Sequence, residues 1–393
     1  MPLREVVIVS GCRTPIGTFN GALSTVPAPK LGSIVIAEAI KRAGIEKEDV
    51  DEVIMGCVLP AGQGQAPARQ AALGAGLPVS VECMTINKVC GSGLKSVMLA
   101  AQAIMVGDAD VIVAGGMENM SLAPYYLEKA RTGYRLGHGQ LIDGMIKDGL
   151  WDVYNDFHMG NAAELCAREC HISREAQDEY AINSYKKALH AQEKGYFAEE
   201  IVPVEVPQPK GEPILVKEDE EPKLVKFDKI PTLRPAFQKD GTVTAANASS
   251  IDDGAAAVVV MAAEKAKELG VQPMVKVIGQ ASVAKAPEWF TTAPADAIEK
   301  VLSKVGLTKD DIDLFEINEA FSVVSLVVNQ ILDLDPKKVN VHGGAVALGH
   351  PIGASGARIL VTLLYAMKHL KKKRGLATLC IGGGEASALV VER

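Results

Sequence analysis

The chain repeats itself. Residues Ala39–Val53 read AIKRAGIEKEDVDEV and residues Val301–Phe315 read VLSKVGLTKDDIDLF. At a constant offset of 262, Gly44 meets Gly306, Lys47 meets Lys309, Asp49 meets Asp311 and Asp51 meets Asp313. Each copy reads as an amphipathic helix that ends at a glycine, an acidic connection and then a strand. A second pair, Gly91-Ser92-Gly93-Leu94-Lys95 and Ala354-Ser355-Gly356-Ala357-Arg358, lies at an offset of 263. Each member opens a long apolar helix leading to a buried strand and a glycine pair, Val111–Gly116 and Thr378–Gly383. Two matches in order at nearly one offset indicate an internal duplication. The fold must therefore be one that two similar halves build together.

Each half alternates strand and helix, which predicts an α/β core of mainly parallel sheet under helical cover. Aromatics are only 5% of the chain, so the core must be aliphatic. The predicted strands are Val6–Ser10, Val53–Met55, Val111–Ala114 and Ala256–Met261, then Val275–Gly279, Leu314–Asn318, Val339–His342, Ala377–Cys380 and Ala388–Glu392. Residues 120–244 have no counterpart in the other half. They carry Pro203, Pro207, Pro209, Pro213, Pro222 and the charge run Lys217–Glu221, and read as an inserted, looser domain with one clean helix over Ser173–Lys194. Residues 1–119 with 245–270 form the first half and 271–393 the second.

Composition excludes several roles. A net charge of −7 argues against coating nucleic acid. No apolar stretch is expected to reach the ~18 residues of a membrane span, and Met1–Val6 lacks the pattern of a secretory signal. Seven cysteines, an odd number in a long chain, do not make a disulfide framework. A reducing, cytoplasmic setting is the expectation.

Cys90 precedes a helix within Asn87–Gly93, where free N–H donors and the helix dipole favour a thiolate nucleophile; the plainer reading is a core thiol. His350 lies in a glycine-rich loop, His342–Gly356, that mirrors the Cys90 loop and so suits the base of a Cys–His pair. Cys380 ends a strand before Gly382-Gly383-Gly384, whose backbone N–H groups can form an oxyanion hole, or simply a turn. Asn318 closes a strand at the end where α/β proteins place their sites. Cys166, Cys170 and His171 have helical spacing but no partner cluster, so no metal is expected. Cys12, Cys57 and Cys83 read as structural.

These residues, with the motifs NKVCGSG (Asn87–Gly93), GGMENMS (Gly115–Ser121), NEAF (Asn318–Phe321), GGAVALGHPIGASG (Gly343–Gly356) and CIGGG (Cys380–Gly384), resemble the thiolase family over the whole length. The nearest group is its short-chain, acetyl-transferring branch. The resemblance implies a duplicated core of two βαβαβαββ halves in five layers, α-β-α-β-α, with an inserted loop domain. It implies Cys90 as the acyl-carrying nucleophile, His350 as acceptor of its proton and Cys380 as general base and acid. Asn318 with a water and the His350 ring would hold one thioester oxygen, and the Cys90 and Gly382 N–H groups the other. The implied reaction is reversible Claisen condensation of two acetyl-CoA to acetoacetyl-CoA and CoA, with ping-pong kinetics, coenzyme A thioesters as substrates and no cofactor.

Carried over as coenzyme A contacts are His158, Met159, Lys223, Phe237, Ser249 and Phe321. Phe290 stands where many members have Met and should shorten the acyl pocket. A homo-oligomer, tetramer or dimer, is implied, with no nucleic-acid or membrane partner. The alternatives are a degradative 3-ketoacyl-CoA thiolase of broader chain length, a decarboxylating ketoacyl synthase and a catalytically dead binding scaffold. An oxidative Cys90–Cys380 bridge is a further expectation.

Overall fold

The computed structural model describes residues 3–393. Its strands are β1 (Val6–Arg13), β2 (Glu52–Gly56), β3 (Glu82–Ile86), β4 (Val111–Asn119), β5 (Asp252–Ala262), β6 (Val275–Ala284), β7 (Leu314–Ile317), β8 (Arg374–Ile381) and β9 (Glu385–Glu392). The principal helices are α1 (Ala28–Ala43), α2 (Pro67–Gly74), α3 (Ser92–Val106), α4 (Met159–Glu169), α5 (Arg174–Glu193), α6 (Ala293–Val305), α7 (Ser322–Leu332) and α8 (Ser355–His369).

The repeat is a structural repeat. Helix α1 ends at Gly44 and α6 at Gly306, both at φ 68°, a left-handed stop that glycine adopts without strain. A capped turn follows each, and then a conserved task within the chain. Asp51 Oδ2 accepts the amides of Asp110 and Val111, and Asp313 Oδ2 accepts those of Lys373 and Arg374. In both halves the aspartate thus ties the head of one strand to its neighbour.

The first half forms a sheet in the order β3-β2-β4-β5-β1 and the second in the order β7-β8-β9-β6, joined through a short β1–β6 contact. Helices α3 and α8 lie between the two sheets, in one core that takes Ile54, Ile112 and Val258 from the first sheet and Ala377, Leu379 and Leu389 from the second. Helices α1 and α2 cover the outer face of the first sheet. Helices α6 and α7 cover that of the second, which completes five layers. The central helices cross at corresponding glycines: a Cβ on Gly93 would sit 2.7 Å from Ala357 N, and one on Gly356 2.3 Å from Leu94 N. No side chain fits that crossing.

Three expectations are corrected. The sheets are mixed: β1–β5, β4–β5, β6–β9 and β8–β9 pair antiparallel, and only β2–β3, β2–β4 and β7–β8 pair parallel. The long insertion hides from sequence that β4 and β5, which flank it, are antiparallel neighbours. Val339–His342 is not a strand; Val339 alone bridges Phe315. The complete edge strand is instead Glu82–Ile86 in the first half, where exposed alternate residues mask its period. Val89–Val106 is 18 residues long and apolar enough by composition to cross a membrane, but it consists of the Cys90 turn and the inter-sheet helix α3. A helix apolar all round suits burial between two sheets as well as lipid.

Between β4 and β5, helix α5 is capped by Ser173, whose hydroxyl accepts the Ala176 amide at 3.2 Å. An ion cluster ties this region to β1. Arg13, with 0% exposure, donates to Glu200 at 2.6 Å and to both oxygens of Asp219 at 2.6 and 2.9 Å.

Candidate active site

Cys90 sits on a strained turn. Val89, a β-branched residue, is held at φ 45°, where such a side chain is disfavoured. The turn is locked locally: Asn87 Oδ1 accepts the Val89 amide at 2.9 Å, and Ser92 Oγ takes the Lys88 amide and donates to Val89 O. Gly91 lets the turn pack closely on Ile381: a Cβ there would lie 2.3 Å from Ile381 Cδ1, so that side chain would have to move. Lys88 pairs with Glu385, which links this turn to the β8–β9 turn of the other half. There, Gly383 and Gly384 at φ 90° and 84° turn the chain so that the Gly382 N–H, with the N–H of Cys90 itself, points at the Cys90 sulfur.

Burial nevertheless wins over those donors. The Cys90 thiol is pushed up to about 11 by desolvation, and the nearby Glu118 carboxylate adds to the rise. The helix N-terminus therefore does not produce a resting thiolate. Alkylation of Cys90 by iodoacetamide should accelerate about tenfold per pH unit between pH 7 and pH 10, because the reactive thiolate grows with pH throughout that range. A plateau below pH 9 would refute this.

His350 is likewise neutral: burial, then the Arg358 charge, push it down to about 3. Its Nδ1 is 2.6 Å from Ser355 Oγ and 3.4 Å from Asn318 Nδ2. Its Nε2 is buried and has no hydrogen-bond partner among the described residues. Asn318 is 1% exposed; its Oδ1 accepts from Arg358 Nη2 at 3.3 Å. Cys380 is equally buried, and desolvation followed by the neighbouring Cys90 holds its thiol well above the ordinary range.

The loop carrying His350 is held by three carboxylates that sequence reading passed over. Glu319 accepts the Val346 amide at 3.1 Å, Asp252 the His350 amide at 2.7 Å and Glu118 the Gly353 amide at 2.8 Å. Burial raises Asp252 well above the carboxylate range and Glu118 to about 7, the backbone donors opposing each rise.

A cavity of about 540 Å³ opens on this group, within the range of small-molecule sites. Cys90, His350 and Gly382 line it; Cys380 is buried beside Cys90, and Asn318 beside His350. His158, Met159, Phe237, Ser249, Phe290 and Phe321 also line it. The His158 ring stacks on Phe237 at 4.8 Å, and Phe321 meets both Phe237 and Phe290 edge-on at 6.2 and 6.4 Å, an aromatic wall down one side. Burial lowers the His158 pKa, and its Nδ1 accepts the Gly160 amide at 3.1 Å. The Ser249 hydroxyl donates to Ala320 O at 3.0 Å. Lys223 is not brought to this group; it is exposed and paired with Glu218. Thr18, Phe19 and Glu221 reach the cavity without any motif to announce them.

Residues 6–264 match the thiolase N-terminal domain and residues 271–393 the thiolase C-terminal domain. The chain belongs to the thiolase family. Among similar thiolases, the acetyl-CoA acetyltransferase of Cupriavidus necator is 57% identical over 392 residues and covers 100% of both chains. The mitochondrial acetyl-CoA acetyltransferase of Bos taurus is 56% identical, over 100% of this chain and 92% of its own. The crystal structure of the Bacillus anthracis acetyl-CoA acetyltransferase superposes with a TM-score of 0.97 at 44% identity, covering 100% of this chain and 99% of that one. The duplicated five-layer core is thus the thiolase fold.

Proposed function

We propose that this thiolase is an acetyl-CoA C-acetyltransferase. It condenses two acetyl-CoA molecules reversibly to acetoacetyl-CoA and CoA through an acetyl-Cys90 thioester. The reading rests above all on one observation: a neutral thiol, Cys90, and a neutral imidazole, His350, one from each half, line one cavity with Gly382, and a second neutral thiol, Cys380, is buried beside Cys90. Full-length identity of 53–57% to proteins named acetyl-CoA acetyltransferase supports it.

In this mechanism Cys90 attacks the thioester of the first acetyl-CoA while its proton passes to His350 Nε2, and CoA leaves with that proton. Because thiol and imidazole rest neutral, the transfer accompanies attack, as general-base catalysis requires. The Cys90 and Gly382 N–H groups receive the acyl oxygen. The Cys380 S–H proton passes to His350 Nε2, and the thiolate so formed takes a methyl proton from a second acetyl-CoA. The enolate oxygen is held by the Nε2–H of the imidazolium and by Asn318 through a water. The enolate carbon attacks acetyl-Cys90, the C–C bond forms, and the released Cys90 sulfur takes the Nε2 proton, which restores both thiols and the neutral imidazole. Coenzyme A thioesters are the substrates, and this chemistry needs no further cofactor. The test is acetoacetyl-CoA cleavage with free CoA; an inactive wild-type enzyme overturns the reading.

Short acyl chains follow from Phe290, which is 3% exposed and fills the cavity beside Phe321. Phe290→Ala should raise the rate on 3-ketooctanoyl-CoA relative to acetoacetyl-CoA by about tenfold or more, the worth of a few methylene contacts. An unchanged ratio, or a wild type fully active at C8, would favour a broad 3-ketoacyl-CoA thiolase.

We read the protein as a homotetramer in the cytoplasm. Exposed Leu122, Leu127, Leu136 and Trp151 in the inserted segment, and the open edge of β3, support self-association. The free state of all seven cysteines suits a reducing compartment.

A further inference from the structure

His350 has to act as a proton acceptor, and a neutral imidazole carries one proton that sits on either nitrogen. Its place decides whether Nε2 offers a lone pair or a hydrogen. Two groups face Nδ1. Asn318 presents its NH₂, because Arg358 Nη2 occupies the amide oxygen at 3.3 Å; an NH₂ can only donate. Ser355, at the head of α8, places Oγ 2.6 Å away. That hydroxyl donates onward to Pro351 O at 3.0 Å, the carbonyl that also takes the Ala354 and Ser355 amides in the first turn of α8. With its own proton so engaged, Oγ accepts from Nδ1–H. Ser355 lies in the glycine-rich motif and pairs with Ser92 in the duplication, but neither fact assigns its hydroxyl a task.

We propose that Ser355 is a positioning residue: it holds the His350 proton on Nδ1 and so leaves the Nε2 lone pair facing the cavity as the acceptor for Cys90. The inference rests on the reading of Cys90 as acyl carrier and deepens it. On attack the Cys90 S–H bond breaks and an Nε2–H bond forms. The imidazolium keeps its Nδ1–H on Ser355, and the Nε2 proton goes to the departing CoA sulfur. Without the hydroxyl, Nδ1 faces only the Asn318 NH₂, which selects the opposite tautomer and leaves Nε2 with no lone pair.

The test uses ¹⁵N spectra of the intact enzyme labelled in its histidine rings, with His350 assigned by its loss in His350→Asn. The wild type should show a protonated Nδ1 and a bare Nε2, and Ser355→Ala should move the proton to Nε2. In the same variant, single-turnover acetylation of Cys90 by acetyl-CoA should slow about 10²-fold, the usual worth of a positioned general base, with little change in KM. Ser355→Thr, which restores a hydroxyl, should keep the wild-type tautomer and rate. A bare Nδ1 in the wild type, or wild-type acetylation by Ser355→Ala, overturns the proposal. Should Ser355→Ala not fold, the wild-type and Ser355→Thr spectra still decide it. Absence of acetylation in the wild type would strike the assigned reaction instead, while the ring spectra continue to report on Ser355.

Discussion

Cys90→Ala is expected to lower acetoacetyl-CoA cleavage by at least about 10⁴-fold, in keeping with the loss of a covalent nucleophile. The alanine fills the same half-buried position, so the turn at Val89 and the start of α3 should persist and the protein should remain folded. What disappears is the sulfur to which the Gly382 and Cys90 N–H groups point. No acetyl-enzyme should be detectable by mass spectrometry. Cys380→Ala provides the contrast. It retains the nucleophile, so it should accumulate acetyl-Cys90 yet fail to release acetoacetyl-CoA, because nothing removes the methyl proton of the second substrate. Cys90→Ala activity within tenfold of wild type would refute the thioester route. Unimpaired condensation by Cys380→Ala would refute the separate base.

Arg13→Met should cost about 3–5 kcal/mol of stability, the usual result of removing one partner from a buried ion cluster. Glu200 and Asp219, 1% exposed apiece, would be left as neighbouring buried carboxylates without their cation. Burial already raises Glu200, and Arg13 is the main force opposing that rise. In the variant the folded-state carboxyl pKa therefore moves further above its unfolded value. Stability of a group shifted in that direction is greatest below the unfolded pKa of about 4.3 and falls as pH rises through the folded pKa. The deficit of Arg13→Met relative to wild type should accordingly be smaller at pH 5 than at pH 8. Urea midpoints at the two pH values check this. A deficit that is constant or larger at pH 5 would mean that the carboxylates are relieved by water or rearrangement.

The site was partly readable before folding. Cys90, His350 and Cys380 could be nominated because each sits among glycines that a buried side chain would not tolerate, and because the duplication pairs their loops. Ser355, Arg358 and the carboxylates Glu118, Asp252 and Glu319 could not. Each resembles many other polar residues along the chain, and its role arises only when a backbone amide or ring nitrogen from a distant segment arrives within hydrogen-bond reach. The same holds for protonation. A cysteine at a helix start reads as a thiolate, yet packing between the two halves removes the water that would solvate the charge, and the thiol state prevails.

What the chain alone determined is its repeating architecture. Gly44 and Gly306 stop their helices through local backbone geometry that a short segment carries in its own residues, whereas Asp51 and Asp313 match in sequence but find the amides they accept on strands far along the chain. Tertiary structure decided the antiparallel pairing across the insertion, the failure of Val339–His342 to become a strand and the neutrality of the Cys90–His350 pair. These depend on which surfaces meet and how much water their meeting expels, quantities that no local pattern of residues contains.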